Sequence, residues 1–238
     1  MASQAGLFET EAPRPLADQL RPESLEEVVG QERVLGARGP LRRMMNDGRL
    51  VSLILWGPPG SGKTTIARLL ADQVDLEFEP LSAVFSGVAD LRKVFEKAAQ
   101  LRAGGRGTLL FVDEIHRFNR GQQDALLSAI EEGLLRLIGA TTENPSFSLN
   151  AALLSRTQVL TLKPLDEEAL ESLLKRAADH IKRPLPLEAT AREKLLQLAD
   201  GDGRYLLNLA EILYDQPEAT TLNTEQMLEL VRHRAPQY

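Results

Sequence analysis

Gly57-Pro58-Pro59-Gly60-Ser61-Gly62-Lys63-Thr64 fits the spacing G-x-x-x-x-G-K-[ST]. These residue types suit a polyphosphate. Glycines let backbone N–H groups close around phosphate oxygens with no Cβ in the way. A helix starting at the end of such a loop adds partial positive charge at the same point. Lys63 can reach the β- and γ-phosphates of a nucleoside triphosphate, and the Thr64 hydroxyl can ligate Mg²⁺. A second cluster, Leu109-Leu110-Phe111-Val112-Asp113-Glu114, ends an apolar run in two carboxylates. Asp113 suits Mg²⁺, held through water, and Glu114 suits orienting or deprotonating an attacking water.

Weaker signals surround these two. Leu137-Ile138-Gly139-Ala140-Thr141-Thr142 ends a further apolar run in hydroxyls, and Thr142 can bond the γ-phosphate or the water. Arg156 follows Leu153-Leu154-Ser155, and Arg204 follows Gly201-Asp202-Gly203. A guanidinium fork suits phosphate oxygens, although a single Arg is ordinarily a solvated surface residue. His116, His180 and His233 have no metal-ligand spacing. His116 follows the acid pair, as either a supporting neighbour or a turn residue.

The elements around these residues alternate. Apolar runs at Val51–Trp56, Leu76–Leu81, Thr108–Val112, Leu134–Ala140 and Val159–Leu162 read as strands. Between them Ile66, Leu69, Leu70 and Val74, then Val88, Leu91, Val94, Phe95, Ala98 and Leu101, repeat at helical spacing. Strand and helix in alternation predict an α/β fold with a parallel sheet covered on both faces. After Pro164 only helical patterns remain, over 166–181, 188–199, 204–214 and 223–234. The expected organisation is a flexible tail at 1–17, a nucleotide-binding α/β domain at 18–163 and a small all-α lid at 164–238.

Composition excludes some chemistry. The chain has 238 residues and no cysteine, which rules out disulfides and cysteine-ligated zinc within it. No run approaches the roughly 20 apolar residues of a membrane span, and no signal peptide is visible, so a soluble cytoplasmic protein is expected. Net charge is −6, whereas a dedicated duplex-binding domain is usually basic. Contact with nucleic acid would need a local patch or several subunits together.

The glycine loop, the Asp-Glu strand, the Gly-Ala-Thr-Thr strand, Ser155-Arg156 and Gly201-Asp202-Gly203-Arg204 stand in AAA+ order. The chain resembles clamp-loader-like AAA+ ATPases, and more narrowly the replication-associated recombination protein A (RarA/MgsA) family, related to Werner-helicase-interacting protein. The longest match is Phe111-Val112-Asp113-Glu114-Ile115-His116-Arg117-Phe118-Asn119, with Ile138–Phe147 nearly as distinctive. Over residues 15–238 the resemblance implies a P-loop NTPase (AAA+) fold with a five-stranded parallel sheet, and an ATPase that is oligomer- and DNA-stimulated. ATP and Mg²⁺ are the implied ligands. Gly57, Pro58, Pro59, Gly60, Ser61, Gly62, Lys63, Thr64 and Thr65 match the nucleotide loop. Thr142 matches sensor 1, Arg204 sensor 2 on the lid, and Arg156 the arginine finger that reaches a neighbouring subunit's ATP. Arg21, Pro22, Val29 and Gln31 match the segment near adenine. Thr64 and Asp113 are the implied Mg²⁺ residues.

The family also implies DNA partners (single-stranded, gapped or forked), homo-oligomers, nucleoid association, and contact with a sliding clamp and single-strand-binding protein. Gln4-Ala5-Gly6-Leu7-Phe8 resembles a Q-x-x-L-F clamp-binding peptide, with Gln4, Leu7 and Phe8 as its anchors, against an incidental Leu-Phe pair. Two departures stand out. Leu127–Gly133 replaces the family's usual wording there, a change assigned to helix packing. Family members continue into a C-terminal assembly domain, so the chain as given is expected to lack it. A nucleotide-gated recruiting module with little hydrolysis is the alternative function. An unfoldase is disfavoured because Phe85-Ser86-Gly87 has a polar centre where such enzymes carry an apolar residue. Arg117 and Arg120 are candidate DNA-backbone contacts or simply a solvated turn.

Overall fold

The computed structural model describes residues 14–217 and 220–234. Three short helices, α1 (Leu16–Gln19), α2 (Glu32–Leu35) and α3 (Pro40–Asn46), precede the first strand. Strands β1 (Leu53–Trp56), β2 (Leu76–Ser82), β3 (Gly107–Asp113), β4 (Arg136–Thr141) and β5 (Gln158–Thr161) then alternate with helices. These are α4 (Lys63–Gln73), α5 (Val88–Ala103), α6 (Arg120–Glu131), and the short α7 (Pro145–Ser148) and α8 (Ala151–Ser155). Among the described residues four helices follow β5: α9 (Glu167–Ile181), α10 (Ala189–Ala199), α11 (Gly203–Tyr214) and α12 (Thr224–Arg234). The observed elements match the α/β reading, with the strands displaced by two residues or fewer.

All pairings are parallel, in the order β2-β3-β4-β1-β5. Period-two alternation sorts the strand residues onto two faces. Leu53, Leu55, Leu109, Phe111, Ile138 and Ala140 pack beneath Ile66 and Leu70 of α4. Ile54, Leu110, Val112 and Leu137 pack against Leu91 of α5, Leu126 of α6 and Leu153 of α8. Helices therefore cover both faces, which explains why β1, β3 and β4 read as continuous apolar runs.

The helices after β5 form a separate core of Leu170, Leu174, Leu195, Leu206, Ala210 and Leu213. Asp166 starts α9 by accepting from the Ala169 amide at 2.9 Å, as its sequence position predicts. Leu16 and Leu20, from the other end of the chain, are buried in this same core. The stretch expected as tail through residue 17 is therefore built into the helical region from Leu16 onward. The reason is apolar burial: α1 lies against α11, and the Leu16 amide donates to Glu211 at 3.1 Å.

Candidate functional site

Parallel strands all end on one side of the sheet, and loops leaving those ends converge there. Register decides which residues meet. Val112 of β3 stands beside Gly139 of β4, and Trp56 of β1 beside Thr141. Glu114 and Thr142 thus emerge above adjacent strands, next to the loop that follows Trp56. Gly139 leaves room for this: a Cβ there would lie 2.7 Å from Cδ1 of Ile115 and 2.8 Å from Cδ1 of Ile54, and both side-chain tips would have to shift. The close approach seats the turn Ile115–Arg117 on the sheet.

A cavity of about 200 Å³ opens between the sheet's loops and the helices after β5. Pro59, Gly60, Ser61, Gly62, Lys63, Thr64, Thr65, Asp113, Glu114, Thr142 and Arg204 line it, as do Arg21, Pro22 and Val29. Fourteen residues singled out from sequence thus line one cavity. At the other end it is apolar, with Leu20, Val28, Leu165, Leu173 and Leu207.

The loop is shaped for a polyanion. Gly62 has φ +94° and precedes α4, whose first amides receive no side-chain cap. Uncapped amides at a helix N-terminus are donors waiting for an acceptor, which a phosphate supplies. Lys63 is buried, and its Nζ donates to the Gly57 carbonyl at 2.8 Å and the Pro58 carbonyl at 2.7 Å. Burial pushes the Lys63 ammonium below its ordinary value. Glu114, Asp113 and Asp202 oppose that shift, and Arg204 adds to it. Gly60, at φ +64°, lies against the lid: a Cβ would meet Asp202 Oδ1 at 1.9 Å. Asp202 caps α11, its Oδ1 accepting from the Tyr205 amide at 2.8 Å.

Glu114 has φ +52°, unusual for a residue with a side chain. Its amide donates to Asp113 Oδ1 at 3.2 Å, and its Oε2 stands 3.5 Å from the Thr142 hydroxyl. Thr64 and Asp113 offer a hydroxyl and a carboxylate on the same wall, the hard oxygen donors that Mg²⁺ takes together with phosphate. Among the described residues no cluster of three or more His, Cys, Asp or Glu could hold a metal by protein ligands alone.

Three expectations fall elsewhere. Gln31 is buried outside the cavity wall, its amide group joining the Ser61 carbonyl at 3.3 Å to the Lys163 carbonyl at 2.9 Å and amide at 3.2 Å. It braces the phosphate loop against the chain after β5 instead of lining the adenine end. Gly57 and Pro58 serve through their carbonyls on Lys63, and a Cβ on Gly57 would meet the Leu162 carbonyl at 2.7 Å. Arg156 lies at the opposite end of the sheet, in a depression with Ser52, Gly107 and Arg136 at the strands' starts. Its guanidinium pairs with Glu131 at 3.1 Å. Gln4, Leu7 and Phe8 lie outside the described residues.

Sequence reading missed Leu165, Leu173, Leu207 and Asp202. Leu207 had a signal, standing three residues after Arg204 on one helix face. Leu165 and Leu173 had none, since only packing brings them there.

Residues 53–165 match the family model described as ATPase family associated with various cellular activities (AAA). The Thermotoga maritima RuvB Holliday junction branch migration motor superposes with a TM-score of 0.73 at 31% identity, over 90% of this chain and 72% of that one. The chain belongs to the AAA ATPase family. Among AAA proteins it is similar to replication-associated recombination protein A of Coxiella burnetii, 52% identical over 206 residues (84% of this chain, 46% of the relative). The protein of that name from Escherichia coli K12 is 44% identical over 235 residues (94% and 53%). The ATPase WRNIP1 of Dictyostelium discoideum is 42% identical over 226 residues (93% and 26%). These relatives bear out the resemblance drawn from the motifs. The chain spans about half the length of the bacterial relatives. Among its described residues no helix is long and apolar enough to cross a membrane.

Proposed function

We propose that this AAA chain binds ATP with Mg²⁺ in the cavity between sheet and lid and hydrolyses it. The observation that carries the reading is that Lys63, Asp113, Glu114, Thr142 and Arg204 line one cavity together with a set of apolar side chains. Leu20, Val28, Val29, Leu165, Leu173 and Leu207 suit a purine face, and the uncapped start of α4 suits the phosphates. Lys63 exchanges its two carbonyl partners for phosphate oxygens. Thr64 and Asp113 would hold Mg²⁺, which would supply neutralising charge to the bound polyphosphate. Glu114 orients a water and takes its proton, Thr142 fixes that water or the γ-phosphate, and Arg204 reports γ-phosphate occupancy to α11.

Arg156 is too far from its own chain's cavity to act there and is assigned to the site of a neighbouring copy, which makes turnover depend on assembly. The relatives named for replication-associated recombination support a role in DNA replication and recombination; repair at stalled forks or gapped DNA, in the cytoplasm with the nucleoid, is the finer part of the proposal. Homo-oligomers, DNA, a sliding clamp and single-strand-binding protein are the proposed partners. Phosphate release from Glu114→Gln and from wild type, with and without gapped DNA, tests this reading. Loss of turnover with retained ATP binding supports hydrolysis. Equal rates favour the nucleotide-gated module.

A further inference from the structure

His116 sits two residues after the proposed base, and its side chain is only 4% exposed. A turn residue with no task would point to solvent. Instead the imidazole lies among three oxygens. Nδ1 is 2.9 Å from the Thr141 hydroxyl and 3.3 Å from Glu114 Oε2, and Nε2 is 3.4 Å from Glu143 Oε1. The ring cannot swing away easily. Ile115 is fully buried beneath it, and the turn is closed by Arg117 and Phe118 amides on the Glu114 and Ile115 carbonyls at 2.8 and 3.1 Å.

The network assigns the proton. An ionised carboxylate only accepts, so a lone pair on Nδ1 would face Glu114 repulsively. The Thr141 hydroxyl already accepts from the Glu143 amide at 3.0 Å, and its own hydrogen has the Glu143 carbonyl at 3.3 Å. With its hydrogen on Nδ1 the ring donates to the Thr141 hydroxyl at 2.9 Å and turns the same N–H edge toward Glu114 Oε2 at 3.3 Å, while Nε2 faces the Glu143 carboxylate, which is more than half exposed to water.

We infer that His116 is a positioning residue for Glu114: its Nδ1–H holds the carboxylate beside Thr142 and ties it to the Thr141–Glu143 turn at the end of β4. The base is thereby set by the same strand end that senses the γ-phosphate. A glutamate at φ +52° with a long side chain has several orientations of similar energy, and electrostatic contact with the imidazole edge 3.3 Å away selects one. The inference rests on Glu114 being the base.

The first test uses the nucleotide-free chain. Imidazole ¹⁵N spectra, with the His116 signals assigned by their loss in His116→Asn, should show a protonated Nδ1 whose shift changes in Glu114→Gln. An unprotonated Nδ1, or no response to Glu114→Gln, overturns the inference. The second test is turnover. His116→Ala should lower kcat about 10- to 100-fold while KM for ATP stays within about twofold. His116→Asn keeps an N–H near the Nδ1 position and should recover part of the loss. In the Glu114→Gln background, under single-turnover conditions, His116→Ala should cost nothing more; an undiminished further loss overturns the link. Full turnover in His116→Ala with loss in Glu114→Gln overturns this inference alone. Equal turnover in Glu114→Gln and wild type overturns the base and the inference together.

Discussion

The two ends of the cavity are built in opposite ways. The phosphate end comes mostly from one unbroken run, Pro59 to Thr65, plus the ends of two neighbouring strands. Its geometry is a backbone property: positive φ at Gly60 and Gly62, uncapped amides on α4, and Lys63 on loop carbonyls. The apolar end draws Leu20, Val28 and Val29 from before β1 and Leu165, Leu173 and Leu207 from after β5. Those pieces meet through tight packing. A Cβ on Gly30, for instance, would stand 2.8 Å from Leu165 Cδ2. Chemistry is thus local in the chain, whereas enclosure of the ligand is not. Damage to the first end should appear in turnover, and damage to the second in affinity.

That contrast can be broken by experiment. The largest effect is expected for Glu114→Gln, which removes the base while leaving the loop intact. Turnover should fall about 10²- to 10⁴-fold with ATP affinity nearly unchanged, measured by phosphate release beside calorimetric titration. A comparable loss of affinity would show that the acid belongs to binding.

Next comes the seam between the two ends. Gly60→Ala places a methyl group on Asp202 and asks a side-chain residue to hold φ +64°. ATP affinity should drop at least about tenfold, and Gly60→Ala/Asp202→Ala should regain part of it. No recovery would mean that backbone strain, and not the lid contact, dominates.

Leu207→Ala probes the apolar end alone. Losing most of one leucine's contact with the base amounts to about 1.5 kcal/mol, or roughly tenfold in affinity, with kcat little altered. A fall in kcat at unchanged affinity would contradict the division of labour.

The smallest effect concerns pH. Burial holds the Lys63 ammonium below its ordinary 10.5, so in the nucleotide-free fold it releases its proton earlier than in the unfolded chain. Between those two values the unfolded chain binds more protons, and stability rises with pH. Wild type should gain on Lys63→Met in urea midpoint as pH approaches 10.5. A gap that moves the other way would mean that the carboxylates around Lys63 outweigh its burial.

The catalytic half was legible because its signals are short-range: glycine spacing, a carboxylate pair after an apolar run, and a helix starting at Lys63. The same holds for Asp166, which announces a helix start. Gln31 was misplaced because a buried amide joining residues 30 and 132 positions away leaves no local mark. Leu16 was read as tail for the same reason, since four helical residues have no periodicity of their own. His116 was legible only as a neighbour of the acids; the side-chain burial that aims its ring depends on Ile115 meeting Gly139.

By itself the chain's sequence determined the α/β class, the phosphate loop, the acid pair and the helical character of the elements described after Pro164, because hydrogen-bond periodicity and glycine sterics act over a few residues. Tertiary structure alone decided which strands neighbour one another, that Gln31 braces the phosphate loop, and that α1 joins the last helices. Those outcomes depend on burying apolar faces that are far apart in the chain, and nothing within a local window encodes the partner.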